Sequence, residues 1–507
     1  MLSFRIDYRF TEQISCCSDD FDYYSHAATI VFDGDFDYSN QIKETHPYFY
    51  KYNNKIAPIG FPGSGILFSP FLFIGNLIDN NLSNSEENFL NYGLLLYSIA
   101  PIVYFFIGYF YLLLSLRKLN YNPNKYEILI FLFGSGLPYF AFERFSMTHV
   151  FEFFLISLLI YNLINYHLCN NKLSSAIIPI LITLILLTRM SNYFVLLLPI
   201  IIKKLIRKNN YEVHNLLKNK FFLISSFLSF YIYFKLTNLI YGRLIFNPQK
   251  VYGTDIDVNN IINSNTTFIE YIIQNFFNLF KILFSNEFGI FWVSPILFIG
   301  FFITLLGIKS KNYFLYLLTF LCFMQNFAIV LIWKSTASSY GFRYLYSLVP
   351  LSILIFYDYM NNKNNLFKNY LMIFSIFSCI SLLFFETTVQ TQLSTEEIYN
   401  TFGEIKRYSA PTYVTGVFKS VFTLNSYLII FTTSWLGVVF FKILLGFLDS
   451  ANLIHILSQL GLPSKDTDFI YYLDEIMKLS WTKIYLVCLI LLFFSYLIVN
   501  NKYQNFD

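Results

Sequence analysis

The sequence predicts an all-α polytopic membrane protein, and three observations favour this class over a soluble fold. Of the 507 residues, 56% are hydrophobic and 13% are charged, whereas soluble proteins carry about 25% charged residues. The mean hydropathy is +0.51. Long apolar runs alternate with short basic connections, which is the pattern of successive membrane spans. A cytosolic globular enzyme and a disordered chain are both excluded, because neither carries so many apolar runs.

Charge and cysteine content exclude two further classes. The net charge is +4, which is too small to indicate nucleic-acid binding. The six cysteines show no C-x-x-C spacing, and four of them lie in apolar runs. We therefore interpret the cysteines as buried hydrophobic residues and not as a metal or redox motif.

Twelve apolar runs approach the roughly 20 residues that a helix needs to cross a bilayer. The run 174–206 is too long for one helix, and Arg189 at its centre would cost about 2.5–3.5 kcal/mol inside the membrane. Two helices that leave Arg189 in the turn avoid this cost. The predicted spans are 92–116, 127–142, 147–167, 174–188, 191–206, 221–241, 290–308, 313–333, 343–360, 370–385, 424–447 and 482–499.

Lys and Arg in the short connections predict the orientation, because they favour the cytoplasmic side. The basic connections are 117–125, 203–220, 309–311 and 361–369. The alternate connections then face outward, namely 1–91, 143–148, 189–190, 242–289, 334–342 and 386–423. Juxtamembrane helices are expected on this outer side at 22–33 and 266–284. The chain thus divides into an outer loop (1–91), a transmembrane core (92–385) and a C-terminal region (386–507) that contains no readable motif.

The first outer segment poses a topological problem. Residues 1–64 are polar and contain no span, and Met1 to Phe10 carry charges that a signal peptide would not have. Either a polar tail crosses the membrane unaided, or a first helix is missing from this chain through a mis-set start or a truncated gene. We favour the missing helix and expect in-frame sequence upstream of Met1 to encode about 20 apolar residues.

An acidic pair, Asp19 and Asp20, lies in this outer segment near the predicted membrane surface. One carboxylate can accept a proton from a hydroxyl nucleophile while the other orients the group or holds a cation. Residues 1–91 contain twelve Asp or Glu and five Lys or Arg, so a solvated acidic loop is the alternative interpretation.

The sequence Asp19-Asp20-x-x-Tyr23, followed by an Asp-Gly-Asp turn, resembles the Asp-Glu-x-x-Tyr motif of GT-C glycosyltransferases. These membrane enzymes, which include the family-39 protein O-mannosyltransferases and the aminoarabinose transferases of lipid A, use polyprenyl-phosphate sugars. Four further elements resemble that family in the same order and extend the resemblance to about residue 350. They are Pro58…Pro62-Gly63…Pro70, Phe142-Glu143-Arg144…Thr148-His149, Asn286-Glu287-Phe288-Gly289…Pro295 and Trp333-Lys334…Tyr340-Gly341-Phe342-Arg343…Pro350.

The resemblance implies a GT-C bundle of about 12 spans in the plasma (inner) membrane, with its active site on the extracytoplasmic side. It implies transfer of a hexosyl or pentosyl group from a polyprenyl-phosphate donor to a glycan, lipid or protein acceptor of the cell envelope. Membrane lipids are the other expected partners, and no nucleic-acid partner is expected. Asp19 would be the base that activates the acceptor, and Asp20 its companion. The matching motifs also make candidate site residues of Tyr23, Glu143, His149 and Tyr340.

Fixed cations at outward helix ends would offset the charge of a leaving lipid phosphate. The candidates for binding the donor phosphate are Arg343, Lys334, Arg144 and Arg189. They lie at predicted outward ends, where the positive-inside bias makes cations uncommon. The alternative interpretation of each is a cation that snorkels to the interface.

Two departures from the family pattern affect the site. Lys55 is not adjacent to Pro58, whereas several relatives carry a Lys directly before this proline element. His149 stands where many members have an Asp, and it is a candidate ligand, proton carrier or helix cap. Some relatives bind a divalent metal, but the spacing of the candidate ligands here supplies no metal signature. Those candidates are Asp19, Asp20, His26, His46 and His149.

A transporter or flippase of lipid-linked or small solutes is the alternative function, and a non-catalytic membrane scaffold is the third. Transporters place ionisable residues near the midplane and often show internal repeats. In this sequence the mid-span charges are few, Glu152 and Lys235, and no repeat is visible. The acids collect instead in an outer loop, which favours the transferase.

Overall fold

The structure is a computed structural model, and it is mostly helical. It describes residues 18–42, 49–53, 55–82, 92–206, 213–246, 251, 268–285, 289–333, 341–361, 366–391, 422, 427, 444 and 447–460. The chain forms two compact units. The larger unit consists of residues 15–69 and 100–417 and holds the candidate site. The smaller unit includes residues 70–99 and 418–507.

The helices follow the predicted order along the chain. Their bounds are α1 Ser18–Ala28, α2 Gly63–Leu82, α3 Tyr92–Lys118, α4 Lys125–Phe133, α5 His149–Cys169, α6 Lys172–Thr188, α7 Leu198–Ile206, α8 Val213–Lys218, α9 Lys220–Tyr241, α10 Phe268–Phe284, α11 Ile290–Val293, α12 Pro295–Gly307, α13 Tyr313–Trp333, α14 Val349–Met360, α15 Leu366–Thr391 and α16 Ser450–Gln459. One feature departs from the all-α expectation. Strands β1 (Tyr50–Tyr52) and β2 (Lys55–Ala57) form an antiparallel hairpin.

Four helices of the described chain are long and apolar enough to cross a membrane. They are Tyr92–Lys118, His149–Cys169, Lys220–Tyr241 and the segment Tyr313–Leu331. Three shorter apolar helices are Lys172–Thr188, Pro295–Gly307 and Phe367–Leu382. These seven coincide with predicted spans, but the total of twelve is not established. The predicted spans 424–447 and 482–499 lie almost entirely outside the described residues.

Four predicted spans are not continuous helices. The predicted span 290–308 is interrupted at Ser294, between α11 and α12. The predicted span 127–142 ends as a helix at Phe133, because Gly134 and a left-handed Gly136 (φ +82°) follow. The predicted spans 191–206 and 343–360 each begin with a 3-10 turn. All four interruptions lie toward the predicted outer side, where they leave irregular backbone near the helix ends.

Two basic connections, 117–125 and 361–369, lie at one end of the helices in the larger unit. Lys118 Nζ, at the end of α3, donates to Asn165 Oδ1 at 2.6 Å near the end of α5. Lys368, near the start of α15, lies 2.5 Å from Glu127 Oε2. Asp358 accepts hydrogen bonds from two tyrosines at the same end, Tyr121 at 2.9 Å and Tyr316 at 3.0 Å. These two connections therefore share one end of the bundle, whereas the side of the membrane that they face stays a prediction.

Two carboxylates in the smaller unit cap the starts of helices. Both carboxylate oxygens of Asp79 accept backbone hydrogen bonds, from Tyr92 N and Gly93 N, each at 2.9 Å. A carboxylate at this position satisfies amides that have no partner within the helix and complements the helix dipole. Asp449 caps α16 in the same way, accepting from Asn452 N at 2.7 Å.

The two ends of the larger unit should differ in their accessibility from outside the cell. Ser39 and Lys311 are both exposed, and the topology places them on opposite sides of the membrane. In a background without the native cysteines, we expect Ser39→Cys to react with a membrane-impermeant maleimide on intact cells. Lys311→Cys should react only after permeabilisation. Reaction of both residues under the same condition would contradict the topology.

Candidate functional site

Four predicted outer segments meet at the end of the larger unit opposite the basic connections 117–125 and 361–369. Asp20 of α1 contacts Arg144 in the turn before α5. Arg189, which follows α6, contacts His149 at the start of α5. Arg343, at the start of the 3-10 turn before α14, lies 3.9 Å from a sulfur in the turn before α5. The first and third of these contacts join residues that are more than 100 positions apart in the sequence, and the second joins residues 40 positions apart.

Gly60 is held in place by three side chains from two helices. Its backbone N–H donates to Asp22 Oδ2 at 3.1 Å. Its carbonyl oxygen accepts from His26 Nε2 at 2.8 Å and from the Tyr241 hydroxyl at 2.9 Å. A Cβ at this position would lie 2.8 Å from the ring of Tyr23, so the close approach requires glycine. The contacts fix α1 against the loop before α2 and against the end of α9.

His26 is a buried neutral residue within this arrangement. Because the Gly60 carbonyl can only accept, Nε2 carries the proton and Nδ1 accepts from the Tyr38 hydroxyl at 2.6 Å. Burial lowers the pKa of His26 to about 4. Both ring nitrogens are engaged within the protein. His26 therefore acts as a structural tie, and the candidate role as a metal ligand does not fit this geometry.

Acidification should weaken the fold through His26. Its pKa of about 4 in the folded protein lies below the usual 6.5, so the unfolded chain binds the proton more readily between these values. The stabilisation is present above pH 6.5 and is lost as the pH falls toward 4, by about 2 kcal/mol between pH 7 and pH 5.

The variant His26→Gln tests this pH dependence. Glutamine can still donate to the Gly60 carbonyl but does not titrate. We expect thermal unfolding of the purified protein to depend less on pH between 7 and 5 in the variant than in the wild type. An unchanged dependence would show that His26 is not the titrating group.

The first charged contact of the site is the pair formed by Asp20 and Arg144. Asp20 Oδ2 lies 3.5 Å from a terminal nitrogen of Arg144, and both side chains are buried. Removing one member of such a pair leaves a buried charge and costs about 3–5 kcal/mol. The pair therefore anchors α1 to the turn that precedes α5.

The second charged contact centres on Glu152, in the first turn of α5. Its Oε1 accepts from Thr148 Oγ1 at 2.7 Å, and its Oε2 accepts from Asn192 Nδ2 at 2.8 Å. Arg189 Nη1 lies 3.4 Å from Oε1 and 3.3 Å from His149 Nδ1. Burial alone would lower the pKa of Arg189, but the adjacent carboxylate raises it, so the guanidinium stays charged.

Two arginines lie over the aromatic ring of one tyrosine. The guanidinium carbons of Arg189 and Arg343 lie 4.6 Å and 5.6 Å from the centre of the Tyr344 ring. Cations are attracted to an aromatic face, but the two positive charges repel each other. An anion near both guanidinium groups would relieve this repulsion. The geometry is therefore suited to binding a phosphate.

Glycines explain the proline-rich element before α2. Gly63 packs directly against the backbone of Thr188, at the end of α6, and Gly65 packs against His26 in α1. A Cβ at either glycine would overlap these neighbours. The small residues thus let the first turn of α2 approach the helix ends that carry the site.

The described part of the chain shows no group of three or more His, Cys, Asp or Glu side chains that could hold a metal ion. His149 and Glu152 are 3.5 Å apart, but the Arg189 guanidinium lies beside both. A second cation between them would be repelled. His46 lies outside the described residues. The structure thus gives the candidate divalent metal no support at His149 or His26.

Most of the predicted site residues whose side chains the structure describes lie close together. Arg144, His149, Arg189 and Arg343 lie at the same end of the bundle as Asp20 and Tyr23. Lys334 and Tyr340 fall outside the described residues, and the side chains of Asp19 and Glu143 are likewise not described.

Sequence reasoning missed several residues of the site. Glu152 was counted as a mid-span charge, which is wrong, because it lies in the first turn of α5. Its signal is the spacing His149-x-x-Glu152, which places both side chains on one helix face. Asn192 and Tyr344 show no motif of their own in the sequence. Their only sequence signal is that they lie close to the candidate residues Arg189 and Arg343.

No family model matches the chain, and no curated protein or solved structure matches it either. The GT-C resemblance therefore rests on the quoted motifs alone.

Proposed function

We propose that the protein is a membrane glycosyltransferase that moves a sugar from a polyprenyl-phosphate donor to an extracytoplasmic acceptor. The observation that carries this proposal is the convergence of Asp20, Arg144, Arg189 and Arg343 at one end of a helical bundle. Transfer of a sugar from a lipid phosphate needs an acid that accepts the proton of the acceptor and fixed cations that offset the charge of the leaving phosphate. Both kinds of group lie at this end of the membrane-spanning helices. The plasma membrane and the outer side are part of the proposal.

Asp19 is assigned as the base in the proposed reaction. It accepts the proton of an acceptor hydroxyl, and the oxygen forms a bond to the anomeric carbon of the sugar. The bond between that carbon and the phosphate oxygen breaks, and the lipid phosphate leaves with the electron pair. Asp20 is less suited to this task, because Arg144 already engages its buried carboxylate.

Arg189 and Arg343 are assigned to the phosphate of the donor. Within the described residues, the contacts of Arg189 with Glu152 and His149 all involve Nη1, so its other two guanidinium nitrogens can face a ligand. Arginine binds phosphate oxygens through paired hydrogen bonds. Glu152 and Asn192 act as positioning residues, because they fix the guanidinium before the donor arrives.

The experiment that tests this function uses the full chain in proteoliposomes with a panel of polyprenyl-phosphate sugars. We expect release of free polyprenyl phosphate that depends on an acceptor fraction from the cell envelope. A transporter would move the lipid-linked sugar between leaflets and leave its glycosidic bond intact. Movement without cleavage would therefore contradict the transferase and support the alternative.

A further inference from the structure

A separate cationic and aromatic surface lies where the β-hairpin packs on the end of α9. Tyr50 is buried there, and its hydroxyl donates to the Tyr241 carbonyl at 3.1 Å. The helix ends at Gly242, which has a left-handed backbone (φ +68°). A Cβ at Gly242 would lie 3.5 Å from Tyr52 and 3.6 Å from Lys55. The hairpin and the residues after α9 therefore form one continuous surface.

Three residues give this surface its chemical character. The Arg243 guanidinium carbon lies 4.5 Å from the centre of the Tyr52 ring. Lys55 pairs with Tyr52 across the hairpin, so their side chains emerge on the same face. Lys55 is exposed, and it has no ion-pair partner among the described residues. We call Tyr52, Lys55 and Arg243 the hairpin patch.

The helix below the hairpin patch exposes apolar side chains. Phe227 is 77% exposed, and Leu228 and Leu239 are about half exposed. Polar Ser225, Ser229 and Thr237 lie on the opposite, buried face of α9. The exposed face is the one that would contact lipid chains. The exposed face of the helix is thus mainly apolar, interrupted by the exposed Lys235, and the surface is cationic at the end of the helix.

We propose that the hairpin patch binds the headgroup phosphate of an anionic phospholipid in the surrounding leaflet. The complement of this surface is an amphiphile, with acyl chains along α9 and a negative headgroup at Lys55 and Arg243. The aromatic ring of Tyr52 suits the interface between these two regions. Tyr241 lies between the hairpin and Gly60, so this surface is distinct from the site proposed for the donor.

A phospholipid fits the hairpin patch better than the polyprenyl-phosphate donor does. The apolar side chains of α9 point outward along an open helix face, which suits the abundant lipid of the bilayer. The inference does not depend on transferase activity, so its failure would leave the proposed function untouched.

The test measures lipid binding by the purified full chain in detergent. Native mass spectrometry would count bound dioleoylphosphatidylglycerol and dioleoylphosphatidylcholine during titration. Each cation near an anionic membrane surface contributes about 1 kcal/mol. We therefore expect the double variant Lys55→Gln/Arg243→Gln to bind phosphatidylglycerol at least about 10-fold more weakly and phosphatidylcholine unchanged.

The matched control is Lys51→Gln. Lys51 is exposed in the same hairpin but pairs with Ile56 and emerges on the opposite face. The variant Lys51→Gln removes a positive charge but leaves the hairpin patch unchanged, so phosphatidylglycerol binding should stay at the wild-type level. Equal losses in the control and in Lys55→Gln alone, or no loss in either patch variant, would overturn the proposal. Preferential binding of polyprenyl phosphate at the patch would overturn the choice of ligand.

Discussion

Asp19→Asn should reduce sugar transfer by about 10²–10⁴-fold, the usual contribution of a general base. Asparagine keeps the shape and the hydrogen-bonding capacity of the side chain but cannot accept the proton. Because the effect is on the proton acceptor, folding and donor binding should stay intact. Initial rates of polyprenyl-phosphate release in proteoliposomes, with matched protein amounts, would measure the loss.

Two further acids serve as comparisons for Asp19. Asp35 is exposed on the same outer segment, so Asp35→Asn should leave transfer unchanged. Asp20→Asn should act differently, because it leaves the buried Arg144 without this carboxylate and so lowers stability as well as activity. Equal and small effects at Asp19 and Asp35 would mean that the acids form only a solvated loop face.

Arg189→Gln should have the second large effect, on stability and on donor use together. It leaves Glu152 buried at 1% exposure without its cation, which costs about 3–5 kcal/mol of unfolding free energy. It also removes a charged hydrogen-bond donor from the proposed phosphate site, worth about 1.5–3 kcal/mol. Thermal unfolding and kcat/KM for the donor would measure the two effects.

The double variant Arg189→Gln/Glu152→Gln separates these effects. Neutralising Glu152 removes the buried uncompensated charge, so most of the stability should return. The phosphate contact is still missing, so kcat/KM for the donor should remain about 10- to 100-fold lower. Recovery of both stability and donor use would show that Arg189 only balances Glu152 and does not bind phosphate.

Much of the helical layout could be predicted from apolar runs and their basic borders. The predicted span 92–116 is the helix Tyr92–Lys118, and 147–167 is His149–Cys169. Agreement is close because run length and flanking charge are local properties of the sequence. The helix breaks near Gly136 and before Val349 were missed, because a glycine or a proline in an apolar run fits either a continuous or a broken helix.

Part of the candidate site could also be predicted from the sequence, because some of its residues are polar within apolar runs. Arg189 and His149 stood out because a charge or an imidazole interrupts an apolar run. Their mutual contact, and the role of Glu152, depend on packing between α5 and α6, which no local pattern encodes. The hairpin at Tyr50–Ala57 was missed as well, because two three-residue strands give too short an alternation to recognise.

Lipid analysis of a strain that lacks this gene tests the central claim most directly. The proposed function predicts accumulation of a polyprenyl-phosphate sugar together with an envelope glycan, lipid or protein that lacks one sugar. Wild-type protein should restore both pools, and Asp19→Asn should restore neither. Unchanged pools of lipid-linked sugar and of acceptor in the deletion strain would contradict the account.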